Sequence, residues 1–343
     1  MNAAADGAPN LGVYASALIV KPSSLGDIVH TLPAVAAIKA TFPDLQLRWV
    51  ANTEWVPLLA GCPLLEEVIP FPRKTMRGLR GPIAFWRWCR ELKAARPFGA
   101  EVVLDFQGLL RSALIARGRG SRPIVGLSDA REGAPRLYQH TVLVDAGAHA
   151  VDRYLTLAGA VGAAVPSAED VAFPLPTGLR PKGWPDGARP IVIHPTSRGE
   201  GKSLPTPMLQ VLCDALAPLP VVLVGVTDAP LGIHGAHVTD LMNRTRLDEL
   251  IWVMREAQFC VSVDSGPMHI AAAVNDATLG LHTWSDPRRV GPHNPRAWVW
   301  KSGRIDHRQG FSLEECISAS QPGTADMTDI AEFVRQRISA APL

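Results

Sequence analysis

Short runs rich in Val, Ile and Leu recur along the chain, and most lead into a longer stretch whose apolar positions have helical spacing. In the first half the runs fall near 17–20, 45–51, 67–69, 102–104 and 124–125, with helical patterns near 27–40, 83–95 and 109–117. The second half repeats the alternation, with runs at 191–194, 221–224, 259–263 and 278–281 and helical patterns at 207–217, 247–256 and 267–274. Unbroken apolar runs suit strands buried on both faces, and strand–helix alternation predicts parallel sheets covered by helices. The two series are separated by PLPTGLRPKGWPDGARP (174–190), whose Pro and Gly predict an interdomain linker. The expected architecture is α/β, with two Rossmann-like doubly wound domains, 1–175 and 190–325, facing across a cleft. A C-terminal segment, 326–343, carries a last helical pattern and is free to pack back on the first domain. Ligands of such sheets bind beyond the carboxyl ends of the strands, where strand order reverses. The loops after the strands are therefore the place to look for chemistry.

Composition changes this picture little. The chain has 343 residues, 47% apolar and 19% charged, enough to bury two cores. The net charge of +2 hides a basic stretch from Arg73 to Lys93 that surrounds Phe85-Trp86-Arg87-Trp88. Cations interleaved with aromatics suit an anionic lipid surface or a phosphorylated acceptor; the plainer alternative is a solvated helix with tryptophan in the core. No nucleic-acid-binding motif accompanies it, so nucleic acid is not an expected partner. Five scattered cysteines without C-x-x-C fit reduced thiols and a cytoplasmic setting. The first residues lack the pattern of a signal peptide, and no run is long enough to span a membrane, so any membrane role is expected to be peripheral.

Three loops carry the candidate chemistry. KPSSLGDIVHTLP (21–33) leaves the first strand and opens a helix, with Ser24 and Gly26 at the turn, Asp27 in the first helical turn and His30 on the same face. Ser and Asp there make an ordinary helix cap. Equally, Asp27 could take a proton from a hydroxyl at the carboxyl edge of the sheet. SVDSGPMHIAAA (262–273) repeats the arrangement: Asp264, Ser265 and Gly266 at a helix start that offers free N–H groups to an anion, and His269 one turn in. A capped helix with a buried histidine is again the plain alternative. The third loop is HPTSRGEGKS (194–203). Gly201, Lys202 and Ser203 match the end of a P-loop, but Thr196 stands at the first glycine and no magnesium-binding acid is evident, which disfavours a Walker ATPase. There is also no G-x-G-x-x-G, no D-x-D and no G-x-S-x-G hydrolase elbow.

Together with DFQGLLRSA (105–113), these loops resemble, in order and spacing, the lipopolysaccharide heptosyltransferases of glycosyltransferase family 9, over about residues 16–300 and most closely the heptosyltransferase I branch. The resemblance implies a GT-B fold and an inverting, metal-independent transfer of heptose from ADP-heptose to the Kdo-bearing inner core. It implies no cofactor. It places the enzyme peripherally on the inner face of the inner membrane, with an anionic lipid-linked saccharide as acceptor. It makes Asp27 the general base and gives Lys202, with Thr196 and Ser197, the donor phosphates; Asp264, Ser265, Gly266 and His269 form the donor loop, with Asp228 near an acidic donor contact. On the acceptor side it places Ser24, Gly26, His30, Gln107, Arg73, Lys74, Arg77 and Arg131. The chain departs from the family where Leu204 replaces the tryptophan of the usual K-x-W-P. Another sugar or acceptor, a nucleotide-sugar epimerase and a nucleotide-sugar-binding protein are the alternatives.

Overall fold

The structure, a computed structural model, describes residues 7–340 apart from 77, 95–100, 119, 121 and 188. It divides into two units, Met1–Pro176 and Thr177–Leu343.

Among the described residues the first unit holds six strands: β1 (Ser16–Val20), β2 (Gln46–Asn52), β3 (Glu67–Phe71), β4 (Glu101–Asp105), β5 (Ile124–Leu127) and β6 (His140–Val142). They pair in the order β3-β2-β1-β4-β5-β6, every pair parallel. The order runs outward both ways from β1 and β4, so the sheet reverses between them. β1 and β4 are buried along their whole length, which is why their interiors, 17–20 and 102–104, read as unbroken apolar runs. Around the sheet lie α1 (Leu25–Thr41), α2 (Val56–Leu59), α3 (Gly81–Ala94), α4 (Leu110–Gly118) and α5 (Ala150–Ala160). α1 continues through Pro33.

The second unit builds a seven-stranded sheet from β7 (Ile191–His194), β8 (Val221–Leu223), β9 (Val238–Asp240), β10 (Phe259–Val263), β11 (Thr278–Leu281), β12 (Trp298–Lys301) and β13 (Arg304–Asp306). Its order, β13-β12-β11-β10-β7-β8-β9, repeats that of the first sheet with one antiparallel edge strand added. The reversal falls between β7 and β10. Its helices are α6 (Thr206–Leu216), α7 (Leu247–Glu256), α8 (Gly266–Val274), α9 (Pro287–Val290), α10 (Leu313–Ile317) and α11 (Thr324–Ala340). α11, left free by the sequence to pack back on the first domain, buries Met327, Ile330, Ala331 and Val334 in the second unit's core, beside α6. Its apolar stripe is thus satisfied within the unit that carries it. Part of the predicted linker also packs here. Trp184 meets Trp252 of α7 edge-on at 5.2 Å, and Gly178 passes so close that a Cβ would lie 2.5 Å from the Asp248 carbonyl.

Candidate functional site

In the first unit, the loops after β1 and β4 meet at the reversal. Asp105, at the end of β4, is fully buried and organises its own loop: its carboxylate accepts from Gln107 N (2.9 Å), Gly108 N (3.2 Å), Ser112 Oγ (2.8 Å) and Tyr138 Oη (2.8 Å). Burial nonetheless raises its pKa against these four donors. Gly108 adopts φ +69° and packs against Ala130, and its carbonyl accepts from Arg131 N at 2.8 Å. Gln107, so held, accepts from Ser23 N at 3.1 Å and ties the β4 loop to the β1 loop.

That second loop carries Asp27. The cap expected of it is made: Asp27 Oδ2 accepts from Ser24 N (3.0 Å) and Ser24 Oγ (2.5 Å). The side chain is still 41% exposed, and its Oδ1 lies 3.9 Å from the ammonium of Lys21. Lys21 is only 2% exposed, and its Nζ donates to the Phe106 carbonyl (2.9 Å) and Tyr154 Oη (2.6 Å). Burial works against that charge, but Tyr154, Asp27 and Asp105 outweigh it and raise the pKa of Lys21. The result is an accessible carboxylate seated over a buried cation. Such a group can accept a proton.

The other residues expected in this unit lie at varying remove. His30 is buried in α1, its ring edge-on to His149 at 5.0 Å. Gly26 sits in the first turn of α1. Arg131 is exposed beside the β4 loop. Arg73 and Lys74 are exposed on the turn after β3, where Arg73 borders a groove of about 480 Å³ together with Phe71, Met76 and Leu114. Arg77 lies outside the described residues.

In the second unit the loops after β7 and β10 meet in the same way. The loop 194–203 is closed on itself by Ser203, whose Oγ accepts from Ser197 N (2.9 Å) and donates to the Ser197 carbonyl (3.1 Å). Ser197 Oγ donates to the Asp264 carbonyl at 3.4 Å, and Thr196 lies against the bare α-carbon of Gly225. Lys202 Nζ then reaches Asp264 Oδ2 at 2.5 Å, an oxygen that also accepts from Ser285 Oγ at 2.6 Å. Burial pushes the Asp264 carboxyl up, yet His282, Lys202 and Ser285 together hold it down at about 2. His282 itself is pulled to about 4 by burial and is neutral near pH 7, so Lys202 and Ser285 carry that work there. Ser265 and Gly266 open α8; Pro267 carries no N–H and Met268 N donates to the Ser265 carbonyl at 3.1 Å, so the helix start offers the N–H groups of Ser265 and Gly266, and His269 is buried one turn in. Asp228 stands exposed after β8; among the described residues no hydrogen bond joins it to the Lys202–Asp264 pair.

Several residues here were not singled out by sequence. Trp284 places its ring 4.4 Å from Lys202 Nζ, and its Nε1 donates to the Glu200 carbonyl at 3.2 Å. Thr283 Oγ1 donates to the Gly201 carbonyl, and buried Lys301 to the Thr283 carbonyl. The stretch 282–285 follows β11 and braces the lysine loop, a role its place at a strand's carboxyl end could have signalled. Lys21 stood in a quoted motif, but nothing in the sequence pairs it with Tyr154. Leu204, in the tryptophan's place, is buried in the core, and the aromatic beside Lys202 comes from Trp284 instead.

Two buried histidines make the second unit sensitive to acid. His194 and His282 are both held at about 4, chiefly by burial. Between about pH 6.5 and 4 the unfolded chain takes up protons that the folded one refuses, so stability falls as pH falls, by about 1.4 kcal/mol per pH unit for each histidine. Denaturant unfolding followed at pH 7 and pH 5 should show the drop, and His194→Asn should remove about half of it; equal midpoints at the two pH values would contradict it.

The model of glycosyltransferase family 9 (heptosyltransferase) matches residues 86–316. Lipopolysaccharide heptosyltransferase 1 of Pseudomonas aeruginosa is 30% identical over 298 residues, covering 81% of this chain and 79% of that protein. Among solved structures, the chain is similar to Escherichia coli heptosyltransferase WaaC with ADP, at a TM-score of 0.72 and 23% identity, covering 94% of this chain and 99% of that one. The same enzyme with ADP-2-deoxy-2-fluoro heptose gives a TM-score of 0.72 at 22% identity, covering 94% and 99%. The likeness of fold makes the two doubly wound units a GT-B arrangement.

Proposed function

The chain belongs to glycosyltransferase family 9, the heptosyltransferases, and from that membership we propose that it moves heptose from ADP-heptose to the Kdo-bearing inner core of lipopolysaccharide. The observation that carries the mechanism is the Asp27 carboxylate, exposed and seated over buried Lys21. The first unit binds the acceptor and the second the donor. The acceptor hydroxyl oxygen bonds to the anomeric carbon as the bond from that carbon to the ADP oxygen breaks on the opposite face, inverting the centre. Asp27 takes the hydroxyl proton. The charge that builds on the departing diphosphate is met by Lys202 and the N–H groups at the start of α8, with no metal. Ser24 and Gln107 fix the loop that aims the base, and Arg73, Lys74 and Arg131 face the anionic acceptor. The acceptor is lipid-linked, so the enzyme works peripherally at the inner face of the inner membrane.

The test is to incubate the protein with ADP-heptose, other ADP-sugars and UDP-sugars, with and without Kdo-lipid A, and weigh the products, in the presence and absence of a chelator. Heptose added to Kdo-lipid A, chelator or not, supports the reading. Transfer of another sugar would redirect it within the family, and conversion of donor without acceptor to an isomer of equal mass, resolved by chromatography, would make the protein an epimerase.

Lys21 acts on the base without touching substrate. Its positive charge favours the ionised form of Asp27. Lys21→Met should therefore raise the pKa of Asp27 and move the acid limb of the kcat/KM profile to higher pH, while Lys21→Arg keeps the charge and part of the effect. A slower enzyme with an unmoved limb would reduce Lys21 to a packing role.

A further inference from the structure

α3 has two faces of different character. Phe85, Trp88, Cys89 and Leu92 recur at helical spacing and turn inward: Cys89 and Leu92 are buried, and Trp88 and Phe85 lie edge-on to Phe71 at 4.9 and 6.3 Å. Ile83, Trp86, Arg87 and Arg90 follow the same spacing on the opposite face. There Ile83 is 69% and Trp86 55% exposed, and Leu79, just before the helix, is fully exposed. Leu110 adds a fourth exposed apolar side chain beside the groove bordered by Arg73. The cations around them are exposed too: Arg73, Lys74, Arg80, Arg87, Arg90 and Lys93. From 73 to 93 the sequence carries seven basic residues and one acid, Glu91.

A helix satisfied on its inner face has no need of large apolar groups on its outer one. Isoleucine, leucine and tryptophan set in a ring of arginines match the boundary of an anionic bilayer, where apolar side chains enter the acyl region, the indole sits among headgroups and the cations meet phosphate. We propose that the outer face of α3, with Leu79, Ile83 and Trp86 ringed by Arg80, Arg87 and Arg90, is the surface by which this protein docks on an anionic lipid membrane. The charge imbalance selects lipid over a second copy of the same chain, whose equally basic face would repel this one. The inference rests on the reading that the acceptor is lipid-linked, and it names where the protein meets the lipid.

The experiment is co-sedimentation of the full chain with vesicles of equal parts phosphatidylglycerol and phosphatidylcholine, and with pure phosphatidylcholine. The protein should sediment with the anionic vesicles only, and less as salt is raised. Leu79→Ser with Ile83→Ser, and separately Arg87→Glu with Arg90→Glu, should each lower the bound fraction at least about tenfold, with unchanged circular dichroism and unchanged transfer to a deacylated, water-soluble acceptor. Variants that bind vesicles as well as the parent would overturn the proposal. So would a parent dimer, seen by gel filtration, that both pairs of substitutions convert to monomer without any vesicle binding. Failure of the parent to glycosylate the deacylated acceptor would count against the proposed reaction and leave the vesicle result to be judged by itself.

Discussion

Asp27→Asn lowers kcat by about 10²–10⁴-fold, the range general-base catalysis supplies, and leaves ADP-heptose binding unchanged. The substitution is chosen for what it keeps. An asparagine oxygen still accepts from Ser24 N, so the cap on α1 survives in part and the helix start holds its place. What it removes is basicity and the charge facing Lys21. Asp27→Ala deletes the cap as well and should cost about 1 kcal/mol of stability besides, so the pair of variants separates chemistry from scaffolding. The loops proposed to hold the donor belong to the second unit, which is why donor affinity should not move. Near-normal turnover by Asp27→Asn, with the product confirmed by mass, would remove Asp27 from the mechanism and return it to its role as a cap.

The parallel cores were legible because parallel strands buried on both faces leave short, mostly apolar runs: β1, β7, β10 and β11 all announce themselves this way. The edges were not. β6, β9 and β13 have three residues each, mostly half-buried or exposed, too short and too mixed for either period to show. β12 was missed although apolar, because it ends in a lysine whose burial depends on the carbonyls of Thr283 and Ser285. α5 carries a helical stripe of Val151, Tyr154, Leu155 and Ala158, but it sits in an Ala/Gly-rich stretch that blurs its ends.

The candidate site divides in the same way. Asp27 and Ser24 could be found because they follow a strand's carboxyl end at a helix start, and Gln107 came only through the family resemblance; strand order then brings the two loops together. What surrounds them is long-range: Lys21 finds Tyr154 across 133 residues, and Lys202 finds Asp264 across 62. No local pattern encodes such pairs. They also alter how the loop HPTSRGEGKS works, since the lysine expected to wait for phosphate is already engaged by a buried acid and lies against an indole.

That engagement fixes the second large effect. Lys202→Ala should weaken ADP-heptose binding by roughly 10- to 100-fold, the worth of a charge-assisted hydrogen bond to phosphate of about 1.5–3 kcal/mol. Part of this loss is indirect. With Lys202 gone, Asp264 keeps Ser285 but loses its nearest cation, leaving a carboxylate only 7% exposed to repel the incoming diphosphate. Adding Asp264→Asn to Lys202→Ala removes that repulsion, so the double variant should bind the donor more tightly than Lys202→Ala alone, a non-additivity expected of residues in direct contact. Calorimetric titration with ADP reads Lys202→Ala, Asp264→Asn and the double variant against the parent without requiring turnover. If Lys202→Ala binds ADP as the parent does, the lysine serves the fold through Asp264 and not the donor. If the double variant loses the sum of the two single effects, the two residues touch the donor independently, and the picture of a lysine shared between acid and diphosphate fails.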